Sequence, residues 1–318
     1  MKPLFYSVLS ILFIIFLPTF GISQWDEKDK LVASDRQAGK RFSDNNAVAI
    51  YGDYAVVGAS LHDNGSIIRA GAAYVYKRDE HCNWNFMQKL TQSTPTTYDN
   101  FGISVGIFGN TIVVGSYRNN QGSVFVFEES GGTWTQTQIL ASGDPENGGA
   151  FGYDVDIFKD RIIVGSWGDD SGAGSPYIIN SGAAYIFEQS GSTWLQTQKL
   201  VPSDRGTQDW FGQAVSIYGN YAVVGSRDSE DVNGLNTLTN SGSAYIFEKS
   251  FGTWSEVQKI TSTDRDANEY FALALDMNSS RIIVGVGNDR EDENGLNPLT
   301  SAGSAFIFTR NATTGVWS

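Results

Sequence analysis

Cysteine is almost absent from this chain of 318 residues: Cys82 stands alone. One cysteine excludes an intrachain disulfide framework, so packing has to stabilise the fold. Histidine is nearly as scarce. His62 and His81, even with Cys82, cannot assemble a zinc site of the usual composition. No phosphate-cradling glycine loop occurs. Basic residues are in deficit as well, 22 Lys and Arg against 35 Asp and Glu, for a formal net charge of −13. That balance argues against nucleic acid and anionic membranes as partners. Amphipathic helical periodicity is missing throughout, and only one long apolar run is present, at the start.

That run, Leu4 to Leu17, follows Lys2 and precedes the small-residue cleavage pattern Gly21-Ile22-Ser23. Residues 1–23 read as a secretory signal peptide, with Gln24 as the first mature residue. An uncleaved N-terminal anchor is the alternative. The run is short for a membrane span, and no later one is long enough. The mature chain is therefore expected to be secreted or held at the cell surface, without a transmembrane span.

What the sequence does have is a repeat of about 60 residues. Trp25, Trp84, Trp134, Trp194, Trp254 and Trp317 mark its beat, as do Gly58, Gly115, Gly165, Gly225 and Gly285. One unit shows the pattern. Phe151 to Phe158 alternates at period two and reads as strand a. Arg161 to Gly165 is a nearly continuous apolar strand b. Gly182 to Glu188 is strand c, and Trp194 to Leu200 is strand d. Strands b and c are apolar on both faces, so both faces must be covered. Four-stranded antiparallel sheets covered by copies of themselves describe the blades of a β-propeller. The repeated tryptophan, six residues before Leu31, Leu90, Leu140, Leu200 or Ile260, shares a strand face with that aliphatic residue and reads as packing between blades.

The signature Phe211-Gly212, Val223-Val224-Gly225, Gly242-Ser243-Ala244-Tyr245-Ile246-Phe247, Trp254 resembles the FG-GAP repeat family. That family is best known from the integrin α propeller, and the resemblance is closer still to its secreted bacterial members. It implies an all-β propeller of about five four-stranded antiparallel blades, on its own or as part of a seven-bladed ring. The domain is expected over 24–318, in units of about 35–92, 93–142, 143–202, 203–262 and 263–318, with 24–34 as an orphan outer strand. Two departures stand out. Asp44-Asn45 replaces the first Phe-Gly and Phe271-Ala272 the last. The calcium loop that integrin repeats carry between strands a and b is here a tight turn, as at Lys159-Asp160, with too few ligands for calcium.

Strand order sends the long b–c loops and the d–a connections to one end of the ring, and acidic residues gather there. Asp228, Asp231 and Asn233 in one loop, and Asp289, Asp292 and Asn294 in another, precede turn glycines Gly234 and Gly295. Oxygen ligands at such spacing fit a partial calcium loop; solvated Asx turns fit equally. Trp167 and Trp210, outside the repeated tryptophan position, lie in loops of the same end. They are either packed beneath a loop or exposed as anchors for a partner.

The expected function is a non-enzymatic interaction module for adhesion or recognition, binding a protein or glycan on an extracellular surface through the acidic loop face. An extracellular hydrolase or carbohydrate-binding propeller with its site in those loops is the alternative. No cofactor is expected beyond calcium. Residues 24–35 are expected to close the ring as the outermost strand of the blade containing 303–309; the alternative is an open set of blades with further repeats beyond Ser318.

Overall fold

A computed structural model describes residues 27–43, 46–118, 121–143, 149–170, 177–228, 238–263, 265–290 and 302–318. Contacts divide the chain into two units, Met1–Lys30 and Leu31–Ser318, and the second holds every described strand. The first blade is β1 (Val48–Tyr51), β2 (Tyr54–Ala59), β3 (Ala72–Arg78) and β4 (Trp84–Leu90). The second is β5 (Val105–Phe108), β6 (Thr111–Ser116), β7 (Ser123–Ser130) and β8 (Thr133–Leu140). The third is β9 (Val155–Phe158), β10 (Arg161–Ser166), β11 (Ala183–Ser190) and β12 (Thr193–Leu200). The fourth is β13 (Phe211–Tyr218), β14 (Tyr221–Ser226), β15 (Ser243–Ser250) and β16 (Thr253–Ile260). The fifth is β17 (Phe271–Met277), β18 (Arg281–Val286) and β19 (Ser304–Thr309). Each sheet is antiparallel in chain order, four strands in the first four and three in the fifth. The Arg310–Trp317 bridge begins a fourth strand on the last blade. This is the all-β five-bladed propeller that the repeat implies. No described residue is helical.

The sequence pattern explains the layering. In β10 the run Ile162-Ile163-Val164 is fully buried, because one face meets the second blade and the other the fourth. Strand d, outermost, alternates instead: in β12 Trp194 is buried while Leu195 faces solvent. In the first four blades strand c carries an irregularity against strand d at one position, for example Ile186/Phe187 and Ile246/Phe247. A bulge there adds twist to the outer edge.

The repeat signature is the seam between blades. Phe151, Phe211 and Phe271 are buried edge-on to strand c aromatics, with Phe211 5.5 Å from Tyr245 and 6.1 Å from Phe247. Gly182, before strand c of the third blade, forms a parallel bridge to Phe211 of the fourth. A Cβ on Gly165 would lie 2.0 Å from the Gly212 carbonyl oxygen, so the two backbones touch where the blades meet. Gly212 itself sits at φ +90°, and Ala272 holds the same place in the fifth blade at φ +66°.

The two ends of the array remain open. Ile283 and Ile307 are 46% and 63% exposed, whereas their counterparts in the other blades, such as Val223 and Ile246, are fully buried. Val48 and Ile50, 61% and 67% exposed, correspond to buried Val155 and Ile157. The expected ring closure through residues 24–35 is not seen. Residues 27–35 carry no strand. Leu31 and Ala33 pack on the first blade with Phe42 and Trp84, and the Val32 carbonyl accepts from the Tyr76 hydroxyl at 2.7 Å. The physical reason is that this segment carries the apolar residues and the carboxylate that the first blade needs in front of it. Asp35 accepts from Tyr74, just as Asp204 accepts from Tyr245 in the fourth blade.

Candidate binding face at the loop end

Three positions of each repeat converge on the axial mouth at the loop end. The first lies two residues after the glycine of strand b and holds Ser60, Tyr117, Trp167, Arg227 and Gly287. The second immediately precedes the buried phenylalanine and holds Asn100, Ala150, Trp210 and Tyr270. The third lies two residues after that phenylalanine and holds Ile103, Tyr153, Gln213 and Leu273. Side chains at equivalent places on neighbouring blades become neighbours around the axis.

They form a continuous ladder across four blades. Tyr117 meets Tyr153 edge-on at 5.3 Å, and Tyr153 meets Trp167 edge-on at 6.1 Å. Trp167 stacks on Trp210 at 4.7 Å with a 31° tilt. The Arg227 guanidinium lies 3.8 Å from the centre of the Trp210 ring and 5.1 Å from that of Tyr270. Offset and edge-on pairs contribute about 0.5–1.5 kcal/mol each beyond their burial. All six members are half-buried, so the ladder keeps one edge in solvent. Trp210 and Tyr270 hold left-handed backbone, at φ +55° and +58°, which costs a bulky residue energy wherever it occurs. The buried Trp210 indole nitrogen has no hydrogen-bond partner. Beneath the ladder a cavity is lined by Asn46, Tyr153, Gln213, Leu273 and Ala274. Burial, then the nearby Tyr117, pushes the Tyr153 phenol up.

Deeper along the axis, the inner strands line a channel of about 450 Å³. Asp154 accepts from the backbone N–H of Val155 at 2.9 Å and of Val215 at 2.7 Å. Asp156 accepts from the N–H of Ile157 and of Ile217, and from the Ser216 hydroxyl, at 2.7–2.9 Å. Ser216 also reaches Asp276 at 3.2 Å. Burial pushes the Asp154 carboxyl up to about 7 and the Asp156 carboxyl up to about 6, against the lowering effect of these bonds.

Among the described residues, several loop-end carboxylates are paired internally. Lys199 pairs with Asp169 at 2.9 Å, both buried, and Tyr185 donates to the same carboxylate. Lys259 pairs with Asp204 at 2.7 Å, and Lys89 with Asp35 at 2.6 Å. His62 is buried between Lys89, Asp35 and Tyr74. Its burial and Lys89 lower its pKa.

Of the calcium candidates, Asp231, Asn233, Asp292 and Asn294 lie outside the described residues. Asp228 accepts twice from Arg227, at 2.7 and 3.0 Å, and Asp289 is buried with its carbonyl bonded to the Gly303 N–H at 2.9 Å. Among the described residues no group of three or more His, Cys, Asp or Glu is placed to hold a metal ion. Trp167 and Trp210, singled out separately in the sequence, are brought together as the centre of the ladder. Sequence reasoning missed Tyr117, Tyr153, Arg227 and Tyr270. The signal was present: equal offsets from the repeat glycines and phenylalanines place all of them on one rim.

Solved structures share this fold, among them the following two. A protein described as a putative 6-phosphogluconolactonase from Bacteroides uniformis superposes with a TM-score of 0.52 at 13% identity, over 84% of this chain and 67% of the other. Hydrazine synthase of Kuenenia stuttgartiensis superposes with a TM-score of 0.51 at 10% identity, over 89% and 67%. No curated protein matches the chain in sequence. The FG-GAP repeat pattern matches at residues 25–76, 84–127, 134–187, 194–247 and 254–308. These matches span most of the chain and include the residues that form the seams between blades, and the chain belongs to the FG-GAP repeat family.

Proposed function

We propose that this chain is a secreted, non-enzymatic recognition module that binds an extracellular protein or glycan across its loop end, in adhesion or surface recognition. The ladder from Tyr117 to Tyr270 carries the reading. Half-buried aromatics and a stacked guanidinium are the side chains enriched where partners bind. The leader-like residues 1–23 support export. The test is binding of the exported chain to immobilised collagen, fibronectin, pectin, alginate and cellulose. Trp167→Ala and Trp210→Gly should each weaken any binding seen by about tenfold or more while the chain still melts cooperatively. Undiminished binding by both variants, or no binding to any surface, defeats the reading.

The channel carboxylates favour a second reading, an acidic hydrolase, because their raised pKa values suit proton transfer. Their hydrogen bonds weigh against it. Both oxygens of Asp154 and of Asp156 accept backbone N–H groups, stitching β9 to β13. Hydrolysis of a polysaccharide by the chain, abolished in Asp156→Asn, would establish the enzyme instead.

A further inference from the structure

Between the first two blades, at the same loop end, the chain builds a small basic pocket in an otherwise acidic protein. A cavity of about 250 Å³ is lined by Arg41, Ser60, Arg69, Asn100, Tyr117 and Arg118, with Leu61 and Ile103 as apolar wall. Its polar floor is incomplete. Ser60 is 1% exposed and Asn100 is 5% exposed. Neither the Ser60 hydroxyl oxygen nor the Asn100 Oδ1 has a hydrogen-bond partner. A buried polar atom left unpaired is a cost to the fold that a ligand can remove. Asn100 and Arg69 hold left-handed backbone, at φ +56° and +51°.

The rim carries the charge. Arg69 lies with its guanidinium 5.7 Å from the Tyr98 ring centre, and Arg118 donates to the Tyr117 hydroxyl at 2.5 Å. Among the described residues no carboxylate pairs with either guanidinium, although acidic residues outnumber basic ones in the chain. Arginines at a rim over a hydroxyl donor match an oxyanion. An unpaired amide oxygen at the floor needs the opposite, a donor on the ligand. One molecule satisfies both demands when it carries an acid group and hydroxyls together.

We propose that this pocket binds one acidic sugar residue of an extracellular polysaccharide. Its carboxylate or sulfate would meet Arg69, Arg118 and the Ser60 hydroxyl, and a ring hydroxyl would donate to Asn100 Oδ1. The volume suits one ring, being smaller than the roughly 300–1,000 Å³ of larger ligand sites. Tyr117 belongs both to the pocket and to the ladder, so neighbouring sugar units leave the pocket directly onto Tyr153, Trp167 and Trp210. The proposal rests on the loop end being the binding face.

The experiment is calorimetric titration of the full chain with a galacturonate hexamer, a sulfated galactan hexamer, a neutral galactan hexamer and inorganic sulfate. One or both acidic hexamers should bind, and which one does identifies the oxyanion. The neutral hexamer should bind at least about tenfold more weakly, and raising salt should weaken the acidic one. Arg69→Gln and Arg118→Gln should each cost about tenfold in affinity with an unchanged melting curve. Equal binding of the neutral hexamer, full affinity in both glutamine variants, or inorganic sulfate binding as tightly as the hexamers would each overturn the pocket assignment. Acidic hexamers that bind, lose affinity in Trp167→Ala and keep it in both glutamine variants would sink the pocket while sparing the binding face. Failure of every sugar to bind would sink the pocket alone if an immobilised protein still needed Trp167, and the face as well if nothing did.

Discussion

Gln138 brackets the backbone of Trp194 from the neighbouring blade. Its Nε2 donates to the Trp194 carbonyl at 2.7 Å, and its Oε1 accepts from the Trp194 N–H at 2.8 Å. The same pair of bonds joins Gln88 to Trp134, Gln198 to Trp254 and Gln258 to Trp317. The outermost strands are too far apart to form a ladder, so one side chain supplies the two bonds that a neighbouring strand would have made. Gln138→Leu leaves both backbone groups unpaired at the seam. It should destabilise the chain by about 1–3 kcal/mol in denaturant unfolding, and an unchanged midpoint would refute the bracket.

Trp194 itself is held by packing. Its ring is buried among third-blade and second-blade residues, and its indole nitrogen has no partner. Trp194→Ala removes the ring without freeing any hydrogen bond of that ring. A loss of about 3–5 kcal/mol is expected from the cavity. A melting midpoint equal to that of the parent chain would contradict the packing role.

Gly165 should tolerate no side chain. The Cβ of alanine would overlap the Gly212 carbonyl oxygen at 2.0 Å, and neither backbone can yield without parting the third and fourth blades. Gly165→Ala is expected to abolish cooperative unfolding or soluble expression. Gly191→Ala, in an open turn with nothing near its Cβ, has only its positive φ of +65° to contend with and should cost about 1 kcal/mol. Equal behaviour of the two variants would remove the close-approach argument.

Stability should peak on the acid side of neutrality. Burial holds Asp154 up to about 7 and Asp156 up to about 6, while an unfolded chain releases these protons near pH 4. Between those values the folded state binds more protons than the unfolded one, so stability falls as pH rises from about 4 to 7. Asp35 acts oppositely. Against the cost of burial, bonds from Lys89 and Tyr74 pull it down to about 2, so its contribution is lost as pH falls through that value. The melting temperature should therefore be higher at pH 5 than at pH 8, and the difference should shrink in Asp154→Asn. A melting temperature that climbs from pH 5 to pH 8 would contradict this account.

The blades were legible in the sequence because each layer leaves a pattern: period two in strand a, continuous apolar residues in b and c, Trp and Leu six apart in d. The ladder was legible only in part. Trp167 and Trp210 are rare residues in loops and attract notice, whereas Tyr117 and Tyr153 look like ordinary loop residues until blade geometry makes them neighbours. The basic pocket was not legible. Arg41, Arg69 and Arg118 come from three separate loops, and the net charge of −13 points the other way. Ring closure was misjudged because strand pattern identifies what a segment resembles, not which sheet it joins. Leu31 and Asp35 serve the blade that follows them.

The open ends make the last prediction. Ile246 and Ile307 hold one position in consecutive blades, each between two aromatic residues, Tyr245 and Phe247 in one and Phe306 and Phe308 in the other. Ile246 packs against Phe271 and Met277 of the fifth blade, and is fully buried. Ile307 is 63% exposed, with no blade packed on it. A charge at position 246 would be buried without a partner, which the fold cannot accommodate. At 307 it would meet water. Ile246→Glu should therefore prevent folding, while Ile307→Glu should change stability by less than about 1 kcal/mol. If Ile307→Glu unfolds the chain as Ile246→Glu does, the fifth blade is covered in solution and the open end is wrong.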